Sequence, residues 1–286
     1  MKHLILGSSG VIGKSLFSYI AQELSDGEIT GDVRGFDIAQ NELHDLTIPN
    51  NTLIEAAIQW ADVVYFLAYD VGGSKYLEKH KNSISMLQNN SKMMDNVFGL
   101  LEKYNKKFIF ASSQMSTMKH SGYGMCKAIG EHYTETLGGL IVKFWNVYGP
   151  EPRGEKAHVI TDFILKATED KVIKMRTNGS EARQFLFTSD CAEALLQCAL
   201  NYDKLLPNEV DKNPLHITSF YWVTINEIAQ KIAKMYGDVP VVTTGATDQV
   251  QRGIQNEPQN YIKTFWTPTI NLETGIKACA AAQGIY

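Results

Sequence analysis

Five short runs punctuate the first half of this chain: His3 to Leu6, Asp32 to Phe36, Val63 to Leu67, Phe108 to Ala111 and Leu140 to Phe144. Stretches with helical spacing lie between them, from Val11 to Leu24, Asn51 to Trp60, Asn82 to Tyr104 and Tyr123 to Leu137. Such short apolar runs read as strands buried on both faces, which requires helices packed above and below. Alternation sustained as far as Phe144 therefore predicts an α/β fold, a doubly wound parallel sheet.

The pattern loosens after Pro150. Gly149-Pro150-Glu151-Pro152-Arg153-Gly154 reads as a loop, followed by a helix from about Ala157 to Thr168. A strand near Phe185 to Thr188 and a helix from Asp190 to Leu200 read as a return to the sheet domain. The expected division is a sheet domain of residues 1–149 plus about 185–218. A smaller, interleaved C-terminal substrate lobe takes about 150–184 and 219–286. A chain of 286 residues is long enough for one large domain with such a lobe grown onto it.

Composition narrows the partners. With 44% apolar and 20% charged residues the chain is a globular protein and not a disordered one. A net charge of −4 argues against nucleic acid, which needs a basic face, but leaves room for a local cationic pocket. The longest apolar run, Val63 to Ala68, falls far short of the roughly 18 residues of a membrane span. The start, Met1 to Gly7, leaves no room for a secretory leader. Cys126, Cys191, Cys198 and Cys279 form no CxxC pair, and the seven histidines show no ligand spacing with them. The expectation is a cytoplasmic protein with reduced thiols, no metal and no membrane partner.

Gly7-Ser8-Ser9-Gly10-Val11-Ile12-Gly13 directly follows the first strand and opens the first helix. In that position Gly7 makes a tight turn, Gly10 lets a pyrophosphate approach the backbone, and Gly13 lets helix and sheet pack closely. The helix start at Val11 and Ile12 then faces the phosphates. This is the dinucleotide-binding turn of a Rossmann sheet. Asp37 follows the second strand, 24 positions beyond Gly13 and near the ~20-residue offset of a carboxylate that accepts both ribose hydroxyls. An acid there repels a 2′-phosphate, so the expected cofactor is NAD, not NADP. Arg34, three residues upstream, lies in the strand body and aims elsewhere. Asp45, after His44, could meet an adenine edge with Leu46 beside it.

Tyr123-Gly124-Met125-Cys126-Lys127 sets a phenol and an ammonium four apart on one helix face, just after a strand ending in Ala111-Ser112-Ser113. Lys127, together with a positive nicotinamide ring, lowers the Tyr123 pKa so that phenolate is available near neutral pH. Ser113 hydrogen-bonds the substrate oxygen and fixes its position.

With these motifs in this order, the chain resembles the extended short-chain dehydrogenase/reductase family, in its nucleotide-sugar epimerase/dehydratase branch. The resemblance includes Phe66-Leu67-Ala68-Tyr69, Asn146-Val147-Tyr148-Gly149-Pro150, Arg183-Gln184-Phe185 before Asp190, and Trp266-Thr267-Pro268 leading to Leu272-Glu273-Thr274-Gly275-Ile276. It implies cofactor contacts from Leu67, Ala68, Tyr69 and Asn90 besides those of Tyr123 and Lys127, and a substrate diphosphate held by Asn146, Arg183 and Arg252. It also implies a homodimer built on the two long helices near Asn82–Tyr104 and Tyr123–Leu137. Met86, Met93, Met94 and Val97 suit either that interface or an internal core.

Asp70-Val71-Gly72-Gly73, His80 to Asn90, Phe110 to Ser113 and Arg153-Gly154-Glu155-Lys156-Ala157 are similar to the GDP-mannose 3,5-epimerase subgroup. There a cysteine two residues beyond the catalytic serine and a lysine in the Arg–Glu–Lys loop exchange protons with the sugar. This chain keeps Lys156, with Gly72 and Gly73 at the substrate, but has Met115 in the cysteine's place. A thioether can neither give nor take a proton. Gln114 and Met115 also stand where a dehydratase has Asp and Glu. The reading is an NAD-dependent epimerase working through transient C4 oxidation of a GDP-linked hexose or heptose. A 4-keto-sugar reductase or C4 dehydrogenase is the alternative, and a non-catalytic dinucleotide-binding regulator is the alternative of another class.

Overall fold

The structure is a computed structural model that describes residues 1–206, 214–248, 250–251 and 257–285. In chain order the first half runs β1 (Lys2–Leu6), α1 (Val11–Ser25), β2 (Asp32–Phe36), α2 (Thr52–Trp60) and β3 (Val63–Phe66). It continues through α3 (Ser74–His80), α4 (Ile84–Lys103), β4 (Lys107–Ser113), α5 (Gly122–Thr136) and β5 (Leu140–Phe144). The second half holds β6 (Asn146–Tyr148), α6 (Val159–Leu165), β7 (Ile173–Lys174), β8 (Ala182–Phe187), α7 (Thr188–Leu200) and α8 (Tyr202–Leu205). Then come β9 (Leu215–Ile217), β10 (Trp222–Thr224), α9 (Ile225–Met235), β11 (Val241–Val242) and α10 (Leu272–Ala282).

The main sheet has six strands in the order β2-β1-β3-β4-β5-β9, with every neighbouring pair parallel. Alternation along each strand splits its side chains between two layers. Leu4, Leu6, Val64, Phe66, Phe108 and Phe110 pack with Ile54 and Ile58 of α2, Phe98 of α4 and Cys126 of α5. Ile5, Tyr65, Ile109 and Val142 pack on the other face with Leu16 and Ile20 of α1 and Leu195 of α7. Burying one such aliphatic or aromatic side chain contributes about 1.5–3 kcal/mol, so strands apolar on both faces are stable only inside this sandwich. Because the chain leaves β1 toward β2 on one side and β3 on the other, the strand ends diverge there and open a crevice.

A second core lies beside the sheet. Tyr148, Ile160, Phe163, Ile173, Val223, Ile228, Ile276 and Cys279 fill it, under small sheets β10-β8-β6 and β11-β7. Ile262 and Trp266, late in sequence, pack instead into the main-sheet layer of α1 and α7.

Three elements differ from expectation. The stretch Asn82–Tyr104 begins as a helix only at Ile84, because Ser83 accepts from the Met86 N–H and starts the helix anew, and a separate α3 precedes it. The helix expected over Ala157–Thr168 starts at Val159 and widens into a π turn over Lys166–Asp170. The strand expected near Phe185–Thr188 joins β6 and β10 in the small sheet, and the return to the main sheet is made by α7 and β9. Met86, Met94 and Val97 are core residues, each at most 2% exposed. Among the described residues no helix is long and apolar enough to cross a membrane, and no group of His, Cys, Asp or Glu could hold a metal ion.

Candidate active site

A cleft of about 590 Å³ runs from the β1–α1 turn to the small-sheet core, within the range of small-molecule sites. At one end stands the glycine turn. Gly7 has φ +93°, and a Cβ there would lie 2.6 Å from the Ala68 nitrogen; a Cβ on Gly13 would overlap the Gly7 carbonyl oxygen. Gly10 caps α1 with no side chain, so the helix's first N–H groups at Val11 and Ile12 stay available to the cleft they line. Leu67 and Ala68 line it from the end of β3. Asp37 lines it too, its carboxylate accepting from Ser9 N at 2.9 Å and Ala39 N at 2.8 Å. Asp45 and Leu46 form the far rim, with Asp45 accepting from the Thr47 hydroxyl at 2.7 Å. Arg34 lies over the Trp60 ring at 4.0 Å, away from this end.

The middle of the cleft holds Ser113, Tyr123 and Lys127, each under 9% exposed. Ser113 ends β4, where its hydroxyl accepts from Met115 N at 3.2 Å. Tyr123 sits in the first turn of α5, whose start is fixed by Tyr123 N donating to Lys81 O and by Ser121 accepting from Gly124 N. The Lys127 ammonium donates to Ala111 O at 2.6 Å and lies 3.4 Å from the Tyr69 ring centre but 5.9 Å from that of Tyr123. Burial, partly offset by Cys126 and Glu131, pulls its pKa down to about 7. Burial pushes the Tyr123 phenol up, against a hydrogen bond with Ser113 that acts the other way. In the protein alone burial thus favours the Tyr123 phenol, with the Lys127 ammonium turned to a carbonyl and a ring, so the phenolate expected for catalysis needs the nicotinamide charge as well as Lys127.

The opposite wall is built from two loops. Gly73 N donates to Lys156 O at 2.9 Å, which brings the loop after β3 against the loop before α6, and Gly72, Gly73 and Lys156 all line the cleft. The Lys156 ammonium is 3.1 Å from Asp70, which also accepts from the Tyr76 hydroxyl at 2.7 Å. Burial raises the Asp70 pKa, but these hydrogen bonds outweigh it and leave the carboxyl lowered. Asn90, expected at the cofactor, is not brought into the cleft lining. It is fully buried and spends its amide on Asp70, accepting from N at 2.7 Å and donating to O at 3.3 Å. Arg183 is not in the lining either: its guanidinium is 2.5 Å from Asp248 and donates to Ala182 O. Asn146 does line it, with a buried Oδ1 that has no hydrogen-bond partner among the described residues. Arg252 lies outside the described residues.

Met115 is 2% exposed and lines the cleft, packed with Leu77, Met86, Tyr123 and Val250. The place of the expected proton donor is thus a dry apolar wall. Cys126 offers no substitute, being buried in the helix layer with its thiol pushed up by burial.

Sequence reasoning missed His158. It lines the cleft two residues beyond Lys156, and its Nδ1 is 2.7 Å from a Glu151 carboxylate that also accepts from its backbone N–H. Glu151 is 5% exposed; burial raises its pKa, but His158 outweighs that and lowers it. With Nδ1 engaged, Nε2 is the ring nitrogen left for a ligand. The signal, a glutamate and a histidine seven apart across a loop, has no helical or strand period to reveal it. Also missed were His44, stacked on Phe36 at 3.9 Å, and Trp145, both lining the cleft.

The residues fit a dinucleotide: glycines no side chain can replace, an uncapped helix start and a carboxylate at the strand end share one end of the cleft. The rest offers a phenol, a serine hydroxyl and two further protonic groups, a set suited to moving protons on a hydroxylated substrate.

Comparison with known proteins agrees with this geometry. At 25% identity over 268 residues, 81% of this chain and 79% of the relative, the chain is similar to a UDP-N-acetyl-alpha-D-glucosaminuronate decarboxylase of Bacillus cytotoxicus. It is 26% identical to a probable GDP-L-fucose synthase of Drosophila melanogaster, over 97% of this chain and 95% of the relative. Its fold is shared with an epimerase of Methanothermobacter thermautotrophicus, with TM-score 0.80 at 17% identity over 99% of this chain and 92% of the other. Residues 3–211 match the model of the NAD dependent epimerase/dehydratase family, and the chain belongs to that NAD-dependent family.

Proposed function

We propose that the protein is an NAD-dependent nucleotide-sugar epimerase acting through transient C4 oxidation of a GDP-linked hexose or heptose. The observation that carries this reading is that Ser113, Tyr123, Lys156 and His158 all line one cleft. NAD, when bound, supplies a reversible hydride acceptor and a positive charge. The turn from Gly7 to Gly13, Leu67, Ala68, Asp37, Asp45 and Leu46 would hold it, with Tyr69 and Lys127 beside it. Ser113 orients the C4 oxygen, and Tyr123 takes its proton and later returns it. A C4 ketone acidifies the hydrogens on the neighbouring carbons, and Lys156 and His158 then remove and replace one of them. Met115 moves no proton but keeps water from that side of the ring. Asn146 offers the substrate an amide oxygen that has no partner among the described residues. On this reading the small-sheet core and its loops, 150–184 and most of 219–286, form the sugar-nucleotide lobe.

The exposed apolar side chains of Ile84, Met125, Ile129 and Tyr133 on α4 and α5 support a homodimer. A second reading, decarboxylation of a uronic acid at the same ketone, is favoured by the Bacillus cytotoxicus relative and by the cationic Lys156, which could hold a carboxylate. A net 4-keto reductase or C4 dehydrogenase is favoured by Met115.

One experiment separates these. The protein is incubated with NAD and a panel of GDP- and UDP-sugars in deuterated water, then followed by NMR and by absorbance of the reduced cofactor. Epimerisation predicts a new stereoisomer carrying deuterium beside C4 with no net reduced cofactor. Stoichiometric reduced cofactor, or release of carbon dioxide, would overturn it in favour of one of the other two.

A further inference from the structure

Further along the Tyr123–Lys127 face of α5 lies a charged group that the proposed reaction does not use. Glu131 is one turn beyond Lys127. It receives a hydrogen bond from the Ser112 hydroxyl, and the Lys143 ammonium lies 3.2 Å from the same carboxylate oxygen. The Lys143 and Glu131 side chains are 10% and 16% exposed. Ser112 and Lys143 are direct register partners on β4 and β5, so the sheet fixes the spacing of the two groups that grip the acid. A buried ion pair gains little net stability, since desolvation offsets its attraction. Its place beside another buried ammonium points to an electrostatic use.

That ammonium is Lys127, 3% exposed. The groups that face it are the Tyr69 phenol ring after β3, Tyr123, Cys126 and Glu131 on α5, and the Ala111 carbonyl on β4. Lys143 on β5 stands behind Glu131, and beyond it His216 on β9, a histidine held neutral by burial and by the Lys143 charge.

We infer that Glu131 is a positioning residue that favours the charged form of Lys127 against the burial opposing it, with Ser112 and Lys143 holding its carboxylate and Lys143 limiting the negative charge that Lys127 feels. The inference rests on the reading of Tyr123 and Lys127 as the acid–base pair. Two opposed charges act through one carboxylate, so removing either must move Lys127 in opposite senses. Glu131→Gln keeps the Ser112 hydrogen bond but leaves Lys143 as an unbalanced cation, which disfavours the Lys127 ammonium. Lys143→Met keeps the apolar stem and removes the cation that opposes the Glu131 charge, which favours it.

The test reads Lys127 without substrate. Thermal unfolding of the full chain is followed against pH for the parent, Glu131→Gln and Lys143→Met, each alongside its Lys127→Met counterpart so that the Lys127 contribution is isolated. The expected result is a fall of the apparent Lys127 midpoint by on the order of one pH unit in Glu131→Gln and a rise of similar size in Lys143→Met. No shift, or shifts of the same sign, overturns the inference. Should Glu131→Gln not fold, Lys143→Met decides alone, since only a rise is compatible. Opposite shifts without turnover of any nucleotide sugar would instead overturn the proposed function and leave Glu131 assigned.

Discussion

The two walls of the cleft are held by different forces. On the cofactor side, turn, phenol and buried ammonium are fixed by backbone geometry and short hydrogen bonds in a dry interior: Gly7 against Ala68, Lys127 on Ala111, Tyr123 on Lys81. On the other side, where we propose the substrate binds, the same task falls to ion pairs at or near the surface, Lys156 with Asp70 and Lys79 with Glu155, joined by one backbone hydrogen bond from Gly73. Backbone and core contacts tolerate almost no change of residue, whereas exposed pairs are screened and replaceable. The contrast suits an enzyme that keeps one cofactor and varies its sugar.

Substitutions sharpen that contrast in order of size. Lys127→Met, on the rigid wall, is expected to lower kcat by about 10³-fold. It also has a signature free of substrate. In the unfolded chain Lys127 stays charged up to its ordinary pKa, but when folded only up to about 7. Between pH 7 and about 10 the folded state therefore binds fewer protons, and stability on this account rises with pH. Lys127→Met should flatten that rise in a series of thermal melts. His158→Asn, on the ion-paired wall, should cost about 10²-fold in turnover and suppress exchange of solvent deuterium into the sugar, with NAD binding kept. Unchanged exchange would remove His158 from the chemistry. Gly7→Ala should destabilise the protein by about 1–3 kcal/mol in a denaturant titration, from its positive φ and the collision with Ala68. Lys79→Ala breaks an exposed pair and should leave the thermal midpoint at the limit of detection. A large loss there would break the distinction between the walls.

The rigid wall was the legible one. Short apolar strands, glycines between strand and helix, and a Tyr–Lys pair at helical spacing all report local backbone demands, so sequence order carries them directly. Even here the electrostatics escaped. Spacing sets Tyr123 and Lys127 on one face, yet only the fold shows Lys127 turned to Ala111 and Tyr69. The other wall was readable in part, through Lys156 and the glycines opposite it. His158 and Glu151 meet across an irregular loop, and Arg183 and Asp248 are 65 residues apart, so no periodic pattern encodes either pairing. Asn90 shows the same limit from the other side: the resemblance implies a cofactor contact there, and the fold has its amide bracing the Asp70 backbone. Strand β8 illustrates it at the level of fold, since its apolar run is compatible with either sheet and only its partners β6 and β10 decide.

The central claim is that a sugar alcohol surrenders its proton to Tyr123 in this cleft. Rapid mixing of the NAD-loaded protein with a nucleotide sugar it turns over, followed by absorbance of the reduced cofactor, tests it most directly. The account predicts a transient rise and decay in the parent. In Tyr123→Phe the rise should slow by at least about 10²-fold, with sugar affinity retained. An equally fast rise in Tyr123→Phe would contradict it.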